Sequence, residues 1–257
     1  MLLLSTSSLA GYGLHRIFSI VKEAKYDGIN LCIENDLLDT WDGEYIQSLS
    51  LEFWIPVLSI SAPVSKLNET KVENIIEIAK LLWSRVITFS PPHISDKNTK
   101  WFKVQLPKIK KVNDTFLSIK NVPPKFLFFV IPEYKGSTLD QIKRITGYTT
   151  LDVAWIDAWS GIDIIKAETL LIWTLKNIFI SDKSATKEWL LPGQAGSWVS
   201  HLPLESFFMQ LKVANYKEDI SLSVNPEELW VGDEWIVQEK LLLFKKYYTK
   251  YFKDFQP

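Results

Sequence analysis

The fold class this sequence predicts is α/β: a single (β/α)8 barrel, with an open doubly wound sheet as the runner-up. Three observations lead there. Short β-rich apolar runs alternate with segments whose apolar residues recur at helical spacing, the pairs number eight, and 257 residues is close to the length such a barrel needs. No repeat, low-complexity tract or linker interrupts the pattern, so residues 1–257 read as one domain.

Taken in order, a strand at Leu2–Ser5 precedes a helix marked by Leu14, Ile17, Phe18 and Val21, spaced i, i+3, i+4, i+7. The second strand, Gly28–Ile33, precedes a less regular helix over Asp42–Leu49. Trp54–Ser61 is followed by Val72, Ile75, Ile76 and Ala79, again on one helical face. Arg85–Ser90 leads to a helix over Thr99–Val112, and a fifth strand at Lys125–Pro132 to one over Leu139–Ile145. Thr149–Ala154 pairs with Ala167–Leu175, and Lys176–Ser181 with Leu204, Phe207, Phe208 and Leu211. The eighth strand, Ile220–Val224, is closed by a helix carrying Val237, Leu241, Phe244, Tyr248 and Tyr251. Between them, Asn225-Pro226-Glu227-Glu228 reads as N-cap, N1 proline and a carboxylate reaching back to the cap. The strands read as continuously apolar, as expected when helices cover both sheet faces.

Charge and cysteine content narrow the function classes. A formal charge of −1 gives no electrostatic reason to expect nucleic acid or an anionic membrane as partner. The single cysteine, Cys32, excludes an internal disulfide and suits a reducing compartment. The opening MLLLSTSSLAGYG lacks the basic start and the apolar length of a signal peptide, and no stretch reaches the roughly 20 apolar residues of a membrane span. The expectation is a cytoplasmic protein. Eleven tryptophans need a place: Trp83 and Trp173, at or in helical apolar runs, are expected in the core, while Trp155, Trp159, Trp189 and Trp198 fall in or beside loops.

In such a barrel the chemistry sits where strands end and βα loops begin. The polar residues there are Ser5 to Ser8, Asn30, Glu34, Ser59, Ser61, Ser90, His93, Glu133, Asp152, Asp157, Ser181, Asp182, Ser223 and Asn225. Serine-based catalysis has no Gly-x-Ser-x-Gly elbow to support it.

Several segments together carry a family resemblance: EAKYDGINL (23–31), LDVAW (151–155), IFISD (178–182), LPGQAG (191–196) and LPLESFFMQLKVANYKEDISLSV (202–224). In order and spacing the chain resembles the xylose isomerase-like TIM-barrel family, the sugar-phosphate isomerase/epimerase group that includes endonuclease IV-type enzymes. The resemblance implies a divalent cation (Mn, Mg or Zn) held by carboxylates and a histidine at the strand tips, with two glutamates moving a proton between sugar carbons. Asp152 and Asp182 match family aspartates. Elsewhere the pattern departs: Ala154 and Trp155 stand where a histidine is expected, Phe179 where His-x-x-Asp puts a ligand, Ser223 in place of a terminal glutamate and Asn30 in place of another. Glu133 lies past the fifth-strand slot near Val130 or Ile131. Phenylalanine cannot ligate a metal, so the usual metal site reads as largely lost, and no metal ligands are assigned.

The candidate catalytic residues are therefore Asp152 and Glu133, and the candidate substrate-binding residues His93, Trp155 and Asp182. Each has a structural alternative: Asp152 accepting backbone N–H groups at a strand end, Asp182 capping the Ser181-Asp182-Lys183 turn, Glu133 solvated in a loop. The loop tryptophans either stack on a sugar ring or fill a vacated metal site. His15 and His201 lie away from strand tips, so a multi-histidine cluster is not expected. The functional expectation is a sugar or sugar-phosphate isomerase/epimerase-like protein. The alternative is a non-catalytic barrel binding a small carbohydrate or a protein partner, with a nuclease third. Substrate and oligomeric state are not readable from the sequence.

Overall fold

The structure, a computed structural model, describes residues 1–94, 104, 106, 111–112, 114–123, 126–127, 130–136, 138–156, 161–184, 187–193 and 202–256. Eight parallel strands form a closed barrel: β1 (Leu2–Ser5), β2 (Gly28–Cys32), β3 (Val57–Ser61), β4 (Val86–Phe89), β5 (Thr115–Lys120), β6 (Thr149–Asp152), β7 (Leu175–Ile180) and β8 (Asp219–Leu222). Neighbours pair in sequence order, and β8 closes on β1 with Leu2 opposite Ile220 and Leu4 opposite Leu222. Outside lie α1 (Leu14–Glu23), α2 (Gly43–Phe53), α3 (Glu69–Leu81), α4 (Leu139–Thr146), α5 (Ile164–Leu171), α6 (Leu204–Val213), the one-turn α7 (Pro226–Leu229) and α8 (Glu234–Tyr248). Local chemistry starts several of them. Asp42, Asn68, Asp163 and Asp233 each accept the backbone N–H three residues on, and Thr138 with Gln141 forms a full capping box. Among the described residues no helix is long and apolar enough to cross a membrane.

The fifth strand differs from the expectation. It is TFLSIK (115–120), paired to β4 through Val86 opposite Phe116 and to β6 through Ile119 opposite Thr149. Within Lys125–Pro132, residues 126–127 and 131–132 instead form a separate antiparallel ribbon. An apolar run alone does not bury a strand; Thr115–Lys120 has fewer apolar residues but alternates with a period of two, which a barrel wall requires. Most of the expected Thr99–Val112 helix lies outside the described residues, and its end, Lys111–Val112, is a short strand antiparallel to Thr115–Phe116.

The strands are also not continuously apolar. Most of their residues are buried, but polar residues alternate with apolar ones along most of them. Leu2, Leu4, Ile29, Leu31, Ile60, Ile87, Leu117, Ile119, Ile178, Ile180, Ile220 and Leu222 belong to the hydrophobic core. Alternate residues are polar and meet across the lumen. Thr88 Oγ1 lies 2.9 Å from Thr150 Oγ1, skipping β5, and Asn177 Nδ2 donates to Ser59 Oγ at 3.0 Å, from β7 to β3. Only inward-facing side chains can make such bonds. Hydroxyls and amides of Ser59, Thr88, Ser118, Thr150, Asn177 and Ser221 thus take lumen positions where branched aliphatics are usual, and hydrogen bonding offsets their burial.

Two tryptophan expectations fail. Trp83 and Trp173 are 86% and 91% exposed. Each lies two residues beyond the last residue of a helix (Leu81 and Leu171), so the helical face that would have buried it has ended. Trp83 sits in the left-handed region with φ of 55°. The cap expected at Asn225 is also different. Asn225 Nδ2 donates to the Glu188 carbonyl at 3.0 Å, and Glu228 Oε2 accepts from the Leu191 N–H at 3.5 Å. The carboxylate fastens a neighbouring loop and does not reach back to its own helix.

Candidate binding site at the barrel mouth

A cavity of about 540 Å³ opens where the strands end. Its size is within the ordinary range for small-molecule sites. Strand register sets its floor. The last inward residues of β1, β2 and β3 are Ser5, Asn30, Cys32 and Ser61, all lining the cavity. Asn30 Nδ2 donates to Ser5 Oγ at 3.2 Å and to Ser61 Oγ at 3.1 Å, and Ser5 Oγ lies 3.1 Å from Cys32 Sγ. Asn30 is buried, and its hydrogen bonding holds the three strand tips in one polar network. Ser223 and Asn225, beyond β8, continue the lining, and Glu34, Asp36 and Lys66 lie along loops above it.

The opposite wall is aromatic. Phe179 of β7 is 4% exposed, and Trp155 meets Trp189 edge to face with ring centroids 5.1 Å apart. Trp155 Nε1 donates to Glu188 Oε2 at 3.2 Å, which fixes the ring against the loop after β7. These rings line the cavity without filling it. Trp159, Trp198, Asp157 and His201 lie outside the described residues.

Between floor and wall stand Lys120 and Asp152. Asp152, the last residue of β6, is pinned by Asn121: its N–H donates to Asn121 Oδ1 at 2.7 Å, and its carbonyl accepts from Asn121 Nδ2 at 2.9 Å. Its carboxylate accepts from the Ala154 N–H at 3.3 Å and from the Trp189 side chain. Burial pushes the Asp152 carboxyl up to about 6, against the opposing pull of the Lys120 charge and these hydrogen bonds. Lys120 ends β5. Its ammonium lies 4.8 Å from the Trp155 ring centroid and 5.7 Å from that of Phe179.

The sequence candidates separate in space. Asp152 and Trp155 line the cavity; His93, Glu133 and Asp182 are not among its lining residues. His93 Nε2 lies 3.1 Å from Glu133 Oε1, and backbone bonds from Ile94 to Glu133 and from Lys135 to Pro92 tie the two segments together. Asp182 exchanges backbone bonds with Leu190, and its Oδ1 accepts from the N–H groups of Lys183 at 2.8 Å and Leu202 at 3.0 Å. It organises the loop after β7. The glycine there is steric: Gly193 has φ of 79°, and a Cβ would come within 2.8 Å of the Tyr247 ring.

Lys120 is absent from the sequence candidates, because a fifth strand at Lys125–Pro132 leaves it outside the barrel wall. Its signal was the alternation Phe116, Ser118, Lys120, which puts Lys120 on the same face as Ser118. As a metal donor set the lining is poor. Asp152 is joined by hydroxyls, amides, a thiol, a phenyl ring and an ammonium, with Glu34 and Asp36 on the loops above, and among the described residues no three His, Cys, Asp or Glu side chains converge.

No protein-family model matches the chain, and no curated protein matches it. Solved structures do. A xylose isomerase domain-containing protein from Salmonella typhimurium LT2 superimposes with a TM-score of 0.67 at 15% identity, covering 96% of each chain. The D-allulose 3-epimerase from Methylomonas sp., in complex with D-allulose, gives 0.67 at 12% identity over 98% of this chain and 96% of that one. An L-ribulose 3-epimerase gives 0.63 at 12% identity over 97% and 94%. At these identities the likeness establishes the fold.

Proposed function

From a chain whose fold is that of the xylose isomerase-like TIM barrels, we propose a protein that binds a small sugar or sugar-derived molecule in the barrel mouth without a divalent cation. One observation carries this: a cavity of about 540 Å³ with a hydroxyl and amide floor, an aromatic wall, and the Lys120 ammonium among its lining groups. The floor offers donors and acceptors to ring hydroxyls, and Trp155, Trp189 and Phe179 offer a flat apolar face to the C–H side of a sugar. A hard cation wants several oxygen ligands. Asp152, with Lys120 repelling positive charge and no two further His, Cys, Asp or Glu side chains converging on it among the described residues, fits that demand badly, so no step is routed through a metal. Sugar epimerases among the structural neighbours support the ligand class.

The test is a thermal-shift and tryptophan-fluorescence screen of monosaccharides and their acid derivatives in the presence of EDTA. At least one ligand should raise the melting temperature and perturb the fluorescence, and Trp155→Ala should lose both responses. Binding that appears only after manganese is supplied sinks the reading.

Isomerase or epimerase activity keeps one supporting observation. A buried carboxyl held at about 6 changes protonation near neutrality, as a base for a proton α to a carbonyl must. If Asp152 plays that part, a bound ketose should exchange that proton with deuterated solvent, and Asp152→Asn should stop the exchange.

A further inference from the structure

We infer that Lys120 binds the carboxylate of a sugar acid, so that the ligand of this mouth is an aldonate-type molecule with its carboxylate end on β5. The inference rests on the proposed carbohydrate site and specifies its ligand. Ser118 bonds across the lumen, with its Oγ 2.7 Å from Thr150 Oγ1, so Lys120, two residues on, shares the inward face. Its ammonium faces the rings of Trp155 and Phe179, and among the described residues it has no hydrogen-bond acceptor and no carboxylate within 4.0 Å. Asp152 acts on it only through space.

Two ring faces favour a positive charge but do not satisfy its N–H groups. Lys120 lines the cavity, and its donors have no protein acceptor among the described residues. A carboxylate supplies the missing acceptor and the opposite charge together, in a charge-assisted bond stronger than any a neutral hydroxyl makes there. The rest of an aldonate suits the remaining surfaces. Its hydroxyls can exchange hydrogen bonds with Asn30, Ser61 and the Asp152 carboxylate, and its carbon chain can lie against the aromatic wall. Lys120 is a binding residue in this account.

D-gluconate and D-sorbitol test it, since they share one six-carbon polyol chain and differ in a terminal carboxylate against a CH₂OH. Titration calorimetry in EDTA should show wild type binding gluconate at least about tenfold tighter than sorbitol. Lys120→Met should abolish the preference, leaving gluconate and sorbitol within about twofold of each other. Lys120→Arg, measured alongside with circular dichroism on both variants, should restore part of the preference and serves if the methionine variant does not fold. Equal affinity of wild type for the two ligands, or a gluconate preference that survives Lys120→Met, overturns the inference while leaving a carbohydrate site. Failure of both ligands to bind up to about 50 mM overturns the inference and the proposed function together.

Discussion

Asp152 and Lys120 end adjacent strands at the mouth, and their opposite charges do not form a contact pair. Burial is the larger influence on the Asp152 carboxyl, and it raises the pKa to about 6 from an ordinary value near 3.8. The folded state therefore holds this proton more tightly than the unfolded chain. The associated stability is present in full below about pH 3.8 and is lost as the pH rises through about 6. The whole effect is on the order of 3 kcal/mol. Asp152→Asn removes the titration, so urea denaturation should show the variant gaining about 2 kcal/mol relative to wild type between pH 4.5 and 7.5. A pH-independent difference between the two proteins would mean that the carboxyl is not desolvated. Asp152 itself was legible in the sequence as a carboxylate at a strand tip. Its partner was not, because a lysine is informative only once its strand and facing are known.

At the scale of elements, β5 decides what the mouth contains. With the strand at Thr115–Lys120 the mouth receives an ammonium; placed over Lys125–Pro132 it would have received Glu133. That carboxylate instead meets His93 and joins two loops. Seven of the eight strands were legible from their β-rich runs within a few residues, and the fifth was hidden by a more apolar neighbour that forms a separate ribbon. The difference is measurable. Leu117→Ala, in a buried barrel strand, should cost about 3 kcal/mol, while Val130→Ala, at 78% exposure, should stay within about 0.5 kcal/mol. The reverse order would return the fifth strand to the later segment.

Across the whole molecule, most apolar residues of the strands pack outward under the helices while hydroxyls and amides of β3 to β8 bond across the lumen beneath the cavity. The eightfold plan was legible because helical spacing survives any choice of lumen residues. The polar lumen was not, because strands read as continuously apolar carry polar residues at alternate positions, such as Thr88, Thr150 and Asn177. The tryptophans divide by the same logic. Trp155 and Trp189 are held in place at the mouth, while Trp83 lies beyond the end of its helix in a left-handed turn. Trp83→Gly should leave stability within about 1 kcal/mol of wild type, where truncating a core tryptophan costs about 3–5 kcal/mol. The central claim is that a lysine, and not a metal ion, carries the positive charge at the mouth of this barrel. Electron paramagnetic resonance of manganese titrated into chelator-free protein tests it most directly. All added manganese should remain in the free-ion signal, with wild type and Asp152→Asn indistinguishable; one tightly held ion per chain that is lost in Asp152→Asn would contradict the account.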